Sequence, residues 1–438
     1  QAVTPGSEAT PETIAPQADT PAVVEQQISV PADQQRWLVM IYQDADDEIL
    51  ERDIHFDANE AEYTGSSDRV TVVSQFDRNA GAYEGDGNWS TARRFVLTAN
   101  SDLNTLGSAV ITDLGEINMG EPQTLIDFAT WAIGSYPADR YVLIMSDHGA
   151  GWLGGWSDGD NGDDGMSMNE ISGALAEILN RTGVPKFDVL AFDACLMSQL
   201  EALTMIEPYA DYAVASAETV PAIGFAYNAF ISELVNNPAM SPEDFSKWML
   251  AAYIDRDMRI TDDLARQEFL SEAFNYTGQA TAADLTAEMT LDTTLAVIKL
   301  NMLSELNLAF NNFAYEMTFV DQTAVARARS YAQSYYNIFG DSNPPSYIDL
   351  GNFVSLVVNE TGSTQLSTAA NRLFRVMDDA IVAERHSSDL PGATGISIYF
   401  PNSYLYTNEI AGYTAYNTQV DQFVQASQWD DFLAFHYT

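Results

Sequence analysis

The single cysteine of the chain, Cys195, stands just past an apolar run, Phe187-Asp-Val-Leu-Ala-Phe-Asp193. A second apolar run, Tyr141-Val-Leu-Ile-Met-Ser-Asp147, ends in the same way on His148-Gly149. A thiol and an imidazole are the parts of a nucleophile and its general base. In an open parallel sheet, chemistry gathers outside the carboxyl ends of the strands, so two such strands would bring both groups to one edge. Each residue alone has a plainer reading. Free cysteine is among the most buried residue types, and a lone histidine commonly makes a surface or structural hydrogen bond. The shared topological position is what singles the pair out. Of the other histidines, His386 lies in a polar stretch beside Ser387-Ser388, His436 lies near the C-terminus, and His55 follows no apolar run. Cys195 is expected to open a helix over 196–206, whose free N–H groups and dipole would favour the thiolate. Gly149 has no Cβ to shield its N–H, so that N–H and the one of Cys195 are candidates for an oxyanion site.

The elements that must position these groups alternate. Trp37-Leu-Val-Met-Ile-Tyr42 has the continuous apolar character of a strand buried on both faces. An acidic helix over about 46–63 and a strand over 70–76 complete a βαβ unit. A Gly-rich turn over 83–88 precedes one hairpin arm over 91–98. A helix over about 120–134 has Pro122 in its first turn, where the missing N–H is harmless. The strand ending at His148 follows, then a Gly- and Asp-rich loop over 149–165, a helix over 169–180, the strand ending at Cys195 and a strand over 212–216. Strands alternating with helices of this length predict an α/β fold with a doubly wound, mostly parallel sheet flanked by helices. Residues 36–227 are assigned to this core. Residues 228–438 form a largely helical C-terminal portion that returns one late strand, 395–400, to the core and closes on an amphipathic helix over 423–435.

With 46% hydrophobic and 11% aromatic residues the chain can bury a sizeable core, which excludes global disorder. Its 63 acidic residues against 19 basic ones give a formal charge of −44, with Lys186, Lys247 and Lys299 the only lysines. Such a surface repels nucleic acid and anionic membrane and attracts cations and basic polypeptides. One cysteine allows no internal disulfide. Residues 1–35, rich in Pro, Thr, Ala, Glu and Gln, are expected to be a disordered stalk behind a removed signal peptide, which makes the protein secreted or displayed at the cell surface. No stretch is long and apolar enough for a membrane span.

Two segments carry a family resemblance. Asp147-His148-Gly149-Ala-Gly151-Trp152, and Asp193-Ala-Cys195-Leu-Met197 with Glu201, resemble the paired motifs of the clostripain-like cysteine peptidases, relatives of caspases, legumains and gingipains. Trp37-Leu-Val-Met-Ile-Tyr-Gln-Asp-Ala-Asp46 and Gly395-Ile-Ser-Ile-Tyr-Phe-Pro401 resemble that family's opening and late strands. The resemblance implies a caspase-like core and a His148–Cys195 dyad with no obligatory third residue. It implies cleavage of polypeptides after Arg or Lys, through an acidic group at the position of Asp193. A carboxylate there can pair with a guanidinium bidentately, although Asp at that point would equally cap the following helix. Glu218, after the next strand, is a candidate second carboxylate. The chemistry requires no cofactor, and a monomer is expected.

The loop Trp156-Ser-Asp158-Gly-Asp160-Asn-Gly-Asp163-Asp164-Gly165 offers oxygen ligands for Ca²⁺ from Asp158, Asp160, Asp163 and Asp164. Its spacing is not that of an EF-hand, since Asp163 stands where Gly is needed and Asn169 where Glu is expected; a solvated acidic turn is the alternative. The resemblance also implies maturation by a cut after a basic residue between the His and Cys strands. Residues 149–180 contain neither Lys nor Arg, so the first candidates are Arg181 and Lys186. A rival function from another class is a catalytically silent binding or adhesion module on the same fold. Labelling by an Arg-directed covalent probe, present in the native chain and absent in Cys195→Ala, separates the two.

Overall fold

The structure, a computed structural model, describes Pro31 and residues 34–272 and 280–438. The expected stalk falls almost wholly outside the described residues. Gln35 is buried and its Nε2 donates to the carbonyls of Pro238 and Met240, so the fold takes in the last residue assigned to that stalk.

The strands are β1 Trp37–Ala45, β2 Val70–Arg78, β3 Ala92–Val96, β4 Val110–Gly115, β5 Arg140–Ser146, β6 Gly155–Asp158, β7 Asp164–Met166, β8 Phe187–Asp193, β9 Ala210–Ala215, β10 Thr294–Lys299, β11 Tyr347–Asp349, β12 Ile381–His386 and β13 Ser397–Tyr399. Nine of them form one sheet in the order β12-β10-β9-β8-β5-β1-β2-β3-β4. The five central strands, β9, β8, β5, β1 and β2, are parallel, and antiparallel strands extend both edges. The path runs outward from β1 to β2 and, in the other direction, from β5 through β8 to β9. The reversal point therefore lies between β1 and β5, where ligand clefts of such sheets form.

Every residue of β1 and β8 is buried, because helices cover both faces. Successive side chains of a strand alternate between faces, and the core divides accordingly. Leu38, Met40 and Tyr42 pack in one layer with Leu125, Ile171, Leu203, Phe310 and Leu373. Trp37, Val39 and Ile41 pack in the other with Ile54, Phe56, Phe230 and Phe245.

The C-terminal portion is mostly helical but is more closely woven into the core than the sequence suggests. β10 and β12, unremarked within the helical stretch, join the main sheet as an antiparallel edge. The late run does not join it. β13 pairs with β11 in a separate two-stranded sheet and touches the main unit through the Gln199–Ser397 bridge. The strand expected at 212–216 begins at Ala210, and the closing helix is two, Asp421–Ala426 and Trp429–Tyr437.

A buried cation ties the C-terminal portion to the first helix, Glu51–Thr64. Arg259 is fully buried; its Nη2 donates to Asp57 Oδ1 and Asp257 Oδ2, each at 2.7 Å, and its guanidinium lies 4.7 Å from the Phe56 ring centre. Removing one partner of a buried charge set leaves the others uncompensated, at a cost of about 3–5 kcal/mol. Arg259→Met should lower the unfolding free energy from urea titration by that amount, seen as a lower midpoint at unchanged m-value; a change under about 1 kcal/mol would show the cluster to be structurally neutral.

Candidate active site

Register brings the two chemical groups together. Ser146 pairs with Asp193 across β5 and β8, so His148 and Cys195, each two residues further on, leave adjacent strands at one level. The loops then pack tightly: a Cβ on Gly149 would lie 2.5 Å from the Cys195 carbonyl oxygen and 3.2 Å from its nitrogen. His148, Cys195, Asp193, Asp57, Val220 and Gly224 all line one open cleft of about 220 Å³.

Cys195 does not open a helix. Leu196 takes a left-handed φ of 67°, and the helix starts only at Leu200. The turn is held from three sides: Leu196 N–H donates to the Glu218 carbonyl, Ser198 N–H to the Ser216 carbonyl, and Ser397 N–H to the Ser198 carbonyl. No helix dipole therefore acts on the thiol, contrary to the sequence expectation. Burial pushes the Cys195 thiol up to about 11, only partly offset by the Val220 N–H, which donates to Sγ at 3.4 Å; Glu218, Asp193 and Asp147 add to the rise. Both effects together favour the thiol over the thiolate in the free site.

His148 is more exposed, with 43% of its side chain accessible, and its Nε2 lies 3.4 Å from Asp47 Oδ2. Burial raises the Asp47 carboxyl, but hydrogen bonds from His148 and the Leu50 and Ile49 N–H groups outweigh it and leave the group below its ordinary value. Among the described residues neither the Gly149 nor the Cys195 N–H has a backbone acceptor.

Asp193 caps nothing. Its Oδ2 accepts from Phe225 N–H and Tyr227 O–H at 3.1 and 2.9 Å, while its buried Oδ1 has no partner. Burial pushes the carboxyl up to about 6 against those hydrogen bonds. Gly224, at φ 57°, lies between this group and Asp57; a Cβ there would meet Asp57 Oδ2 at 2.6 Å and Asp193 Oδ2 at 2.8 Å. The cleft is thus lined by the carboxyl groups of both Asp193 and Asp57, the latter paired with Arg259.

A family model described as the clostripain family matches residues 42–435. The chain belongs to the clostripain family. It is 30% identical over 241 residues to clostripain from Hathewaya histolytica, an alignment covering 48% of this chain and 44% of that protein, so the match spans less than half of that curated relative. Two solved structures share the fold. One is a secreted cysteine protease from Bacteroides thetaiotaomicron in complex with an irreversible peptide inhibitor, with a TM-score of 0.63, 21% identity, and coverage of 90% of this chain and 99% of that one. The other is an inactive zymogen protease from Parabacteroides distasonis, with a TM-score of 0.58, 18% identity, and coverage of 94% and 100%.

Within this clostripain-family cleft the other candidates sort unevenly. Glu218 is not among the lining residues. Its Oε1 accepts from the Thr219 and Tyr336 N–H groups, which fixes it to the C-terminal portion. Besides Asp193 the cleft is lined by Asp147 and by Asp57, and sequence reasoning missed Asp57. The available signal was the spacing of Asp57 and Glu60 on one face of an acidic helix; its meaning depended on Arg259, remote in sequence. Of the proposed calcium ligands only Asp158 is buried. Asp160, Asp163 and Asp164 are exposed at the tip of the β6–β7 hairpin, and Asp158 converges instead with Asp46 and Glu116.

Two measurements check this geometry. Gly149→Ala forces a methyl against the Cys195 backbone and should cost on the order of 10² or more in kcat through the displaced oxyanion donors; wild-type kcat would show the loops to be loosely packed. In the absence of substrate, alkylation of Cys195 by iodoacetamide should keep rising with pH beyond about pH 9, since only the thiolate reacts. A plateau near neutrality would mean a preformed thiolate.

Proposed function

We propose that the protein is a secreted cysteine endopeptidase that cleaves polypeptides after Arg or Lys, with Cys195 as nucleophile and His148 as its base. The observation that carries this reading is the unpartnered, buried Oδ1 of Asp193 in the cleft that both groups line. A P1 guanidinium or ammonium supplies the missing partner and places the scissile carbonyl over Sγ. His148, with Nε2 held by Asp47, takes the thiol proton through Nδ1 as Sγ attacks the carbonyl carbon. The Gly149 and Cys195 N–H groups receive the oxyanion. The imidazolium then protonates the departing amine, and a water deprotonated by His148 releases the acyl group from sulfur. Because the resting thiol is neutral, the proton transfer belongs to the attack itself. Secretion is supported by the acidity of the chain, which is best screened outside the cell, and no helix among the described residues is long and apolar enough to cross a membrane.

Cys195→Ala and His148→Ala should each abolish turnover without unfolding the chain, and the double variant should be little worse than either; near-native activity in either single variant would overturn the dyad. Asp193→Asn should lower kcat/KM for Arg substrates by a factor on the order of 10² while sparing uncharged ones. A uniform loss would make Asp193 purely structural. The Asp193 carboxylate is charged above its value of about 6, so kcat/KM for Arg substrates should fall as pH drops through that value, in a limb absent from Asp193→Asn.

Residues 149–180 hold no basic residue, and β6 and β7 fold part of that segment into a hairpin. The active protein should therefore run uncut between Gly149 and Asn180. N-terminal sequencing of the active species checks this: a new terminus within 149–180 would mean another protease matures it or the basic specificity is wrong.

A further inference from the structure

A second cavity, of about 350 Å³, lies among the helix Gln322–Tyr331, the segment before β11, the residues after β13 and the last helix, Trp429–Tyr437. It shares no lining residue with the cleft at Cys195. Its size falls within the roughly 300–1,000 Å³ of small-ligand pockets. Phe400, Ile348, Pro344 and Pro345 give it apolar walls, and Arg329 and His436 are its basic residues. None of its lining residues is acidic. In a chain with 63 acidic residues, that absence leaves a cation facing the cavity without a counter-charge.

Arg329 Nε and Nη2 both donate to the Phe400 carbonyl, at 3.1 and 2.8 Å, and Nη2 donates also to the Pro345 carbonyl at 2.8 Å. These acceptors are neutral, and Nη1 has no partner among the described residues. The titratable groups acting on this partly buried guanidinium are the phenols of Tyr437 and Tyr399, not a carboxylate. Such a charge is costly until an anion reaches it. His436 supplies a different function. Gln322 Nε2 donates to the Met317 and Val320 carbonyls, so Gln322 Oε1 accepts from His436 Nδ1 at 2.7 Å. Burial and the Arg329 charge hold the imidazole below its ordinary value. With the hydrogen of the neutral ring on Nδ1, Nε2 is a lone-pair acceptor, and it has no partner among the described residues.

We propose that this cavity binds an apolar amino-acid residue with a free carboxylate and an acylated nitrogen, the chemistry shared by a peptide C-terminus and an N-acyl amino acid. The carboxylate pairs with Arg329 Nη1. The neighbouring amide N–H donates to His436 Nε2, and the side chain covers the walls of Phe400, Ile348 and the two prolines. A phosphate or a polyanion is disfavoured, because repulsion from a chain of net charge −44 grows with the charge of the ligand. A C-terminal Arg or Lys is disfavoured too, since its side chain would meet Arg329 with no acidic residue to receive it. The site stands apart from the peptidase reading.

The experiment is calorimetric titration of the full chain with N-acetylphenylalanine, its amide, N-acetylarginine, inorganic phosphate and a tetraglycyl-phenylalanine peptide. N-acetylphenylalanine should bind saturably at one site. Its amide keeps the ring and the N–H but loses the charge, and should bind about tenfold more weakly or worse. Phosphate and N-acetylarginine at equal concentration should not displace the acid. Ala326→Trp, at an exposed helix position on the cavity wall, should fill the space and weaken binding about tenfold or more at unchanged Tm. Should that variant melt early, Ser403→Trp, a second exposed wall position, gives the same reading. No saturable binding, equal affinity for acid and amide, displacement by phosphate or N-acetylarginine, or native affinity in the folded wall variant would each overturn the site. Peptide affinity equal to or above that of N-acetylphenylalanine supports a chain end as the ligand, and lower affinity supports a free N-acyl amino acid. Every readout is binding, so a chain without peptidase activity leaves the test intact.

Discussion

The pairing register of β5 on β8 is the constraint on which the rest of the site depends. A parallel strand cannot slip by one residue without turning its side chains to the opposite face, and both strands are buried on both faces. With Ser146 opposite Asp193, the backbones carrying His148 and Cys195 leave the sheet at the same height. A shift of one residue would separate the imidazole from the thiol and also remove Asp193 from the cleft. The reversal of strand order between β1 and β5 then opens the space that the substrate needs.

Charge is the second organising force. A chain with a net charge of −44 folds several of its carboxylates inward, and it handles them in two ways. Asp57, Glu60 and Asp257 surround the internal cation Arg259. Asp44, Asp46, Asp77 and Asp158, with the exposed Glu116 beside them, gather without an ion-paired Lys or Arg among the described residues. In the cleft it is burial first, with Glu218, Asp193 and Asp147 adding to it, that raises the Cys195 thiol.

The C-terminal portion works as a brace. Ser397 N–H holds the Ser198 carbonyl, Tyr347 O–H donates to the Ala150 carbonyl at 2.7 Å, and Tyr336 N–H fixes Glu218. These contacts support the loops after β5, β8 and β9 from outside the parallel core. They explain how a left-handed turn at a non-glycine residue, Leu196, is kept beside the thiol, since such a conformation costs on the order of 1 kcal/mol or more and persists only where its surroundings fix it.

Much of the site was legible in the sequence because it depends on local pattern. Continuous apolar runs marked β1, β5 and β8, and their ends marked His148, Cys195 and Asp193; the alternation with helices of regular length gave the parallel sheet. What the sequence could not carry was anything set by contacts between distant segments. The apolar pattern after Cys195 suits a helix, but bonds from Glu218, Ser216 and Ser397 bend its first residues into a turn. Glu218 follows a strand and Asp57 lies in the first helix, and only packing against Tyr336 or Gly224 decides which of them faces the cleft. The acidic hairpin offered four oxygen ligands in a row; in the fold Asp158 alone of the four is buried, and it converges with Asp46 and Glu116, which no local pattern announced. Composition and periodicity determined the architecture and the chemistry at its edge, and the tertiary contacts decided the orientation of each charged group, since orientation depends on partners a hundred or more residues away.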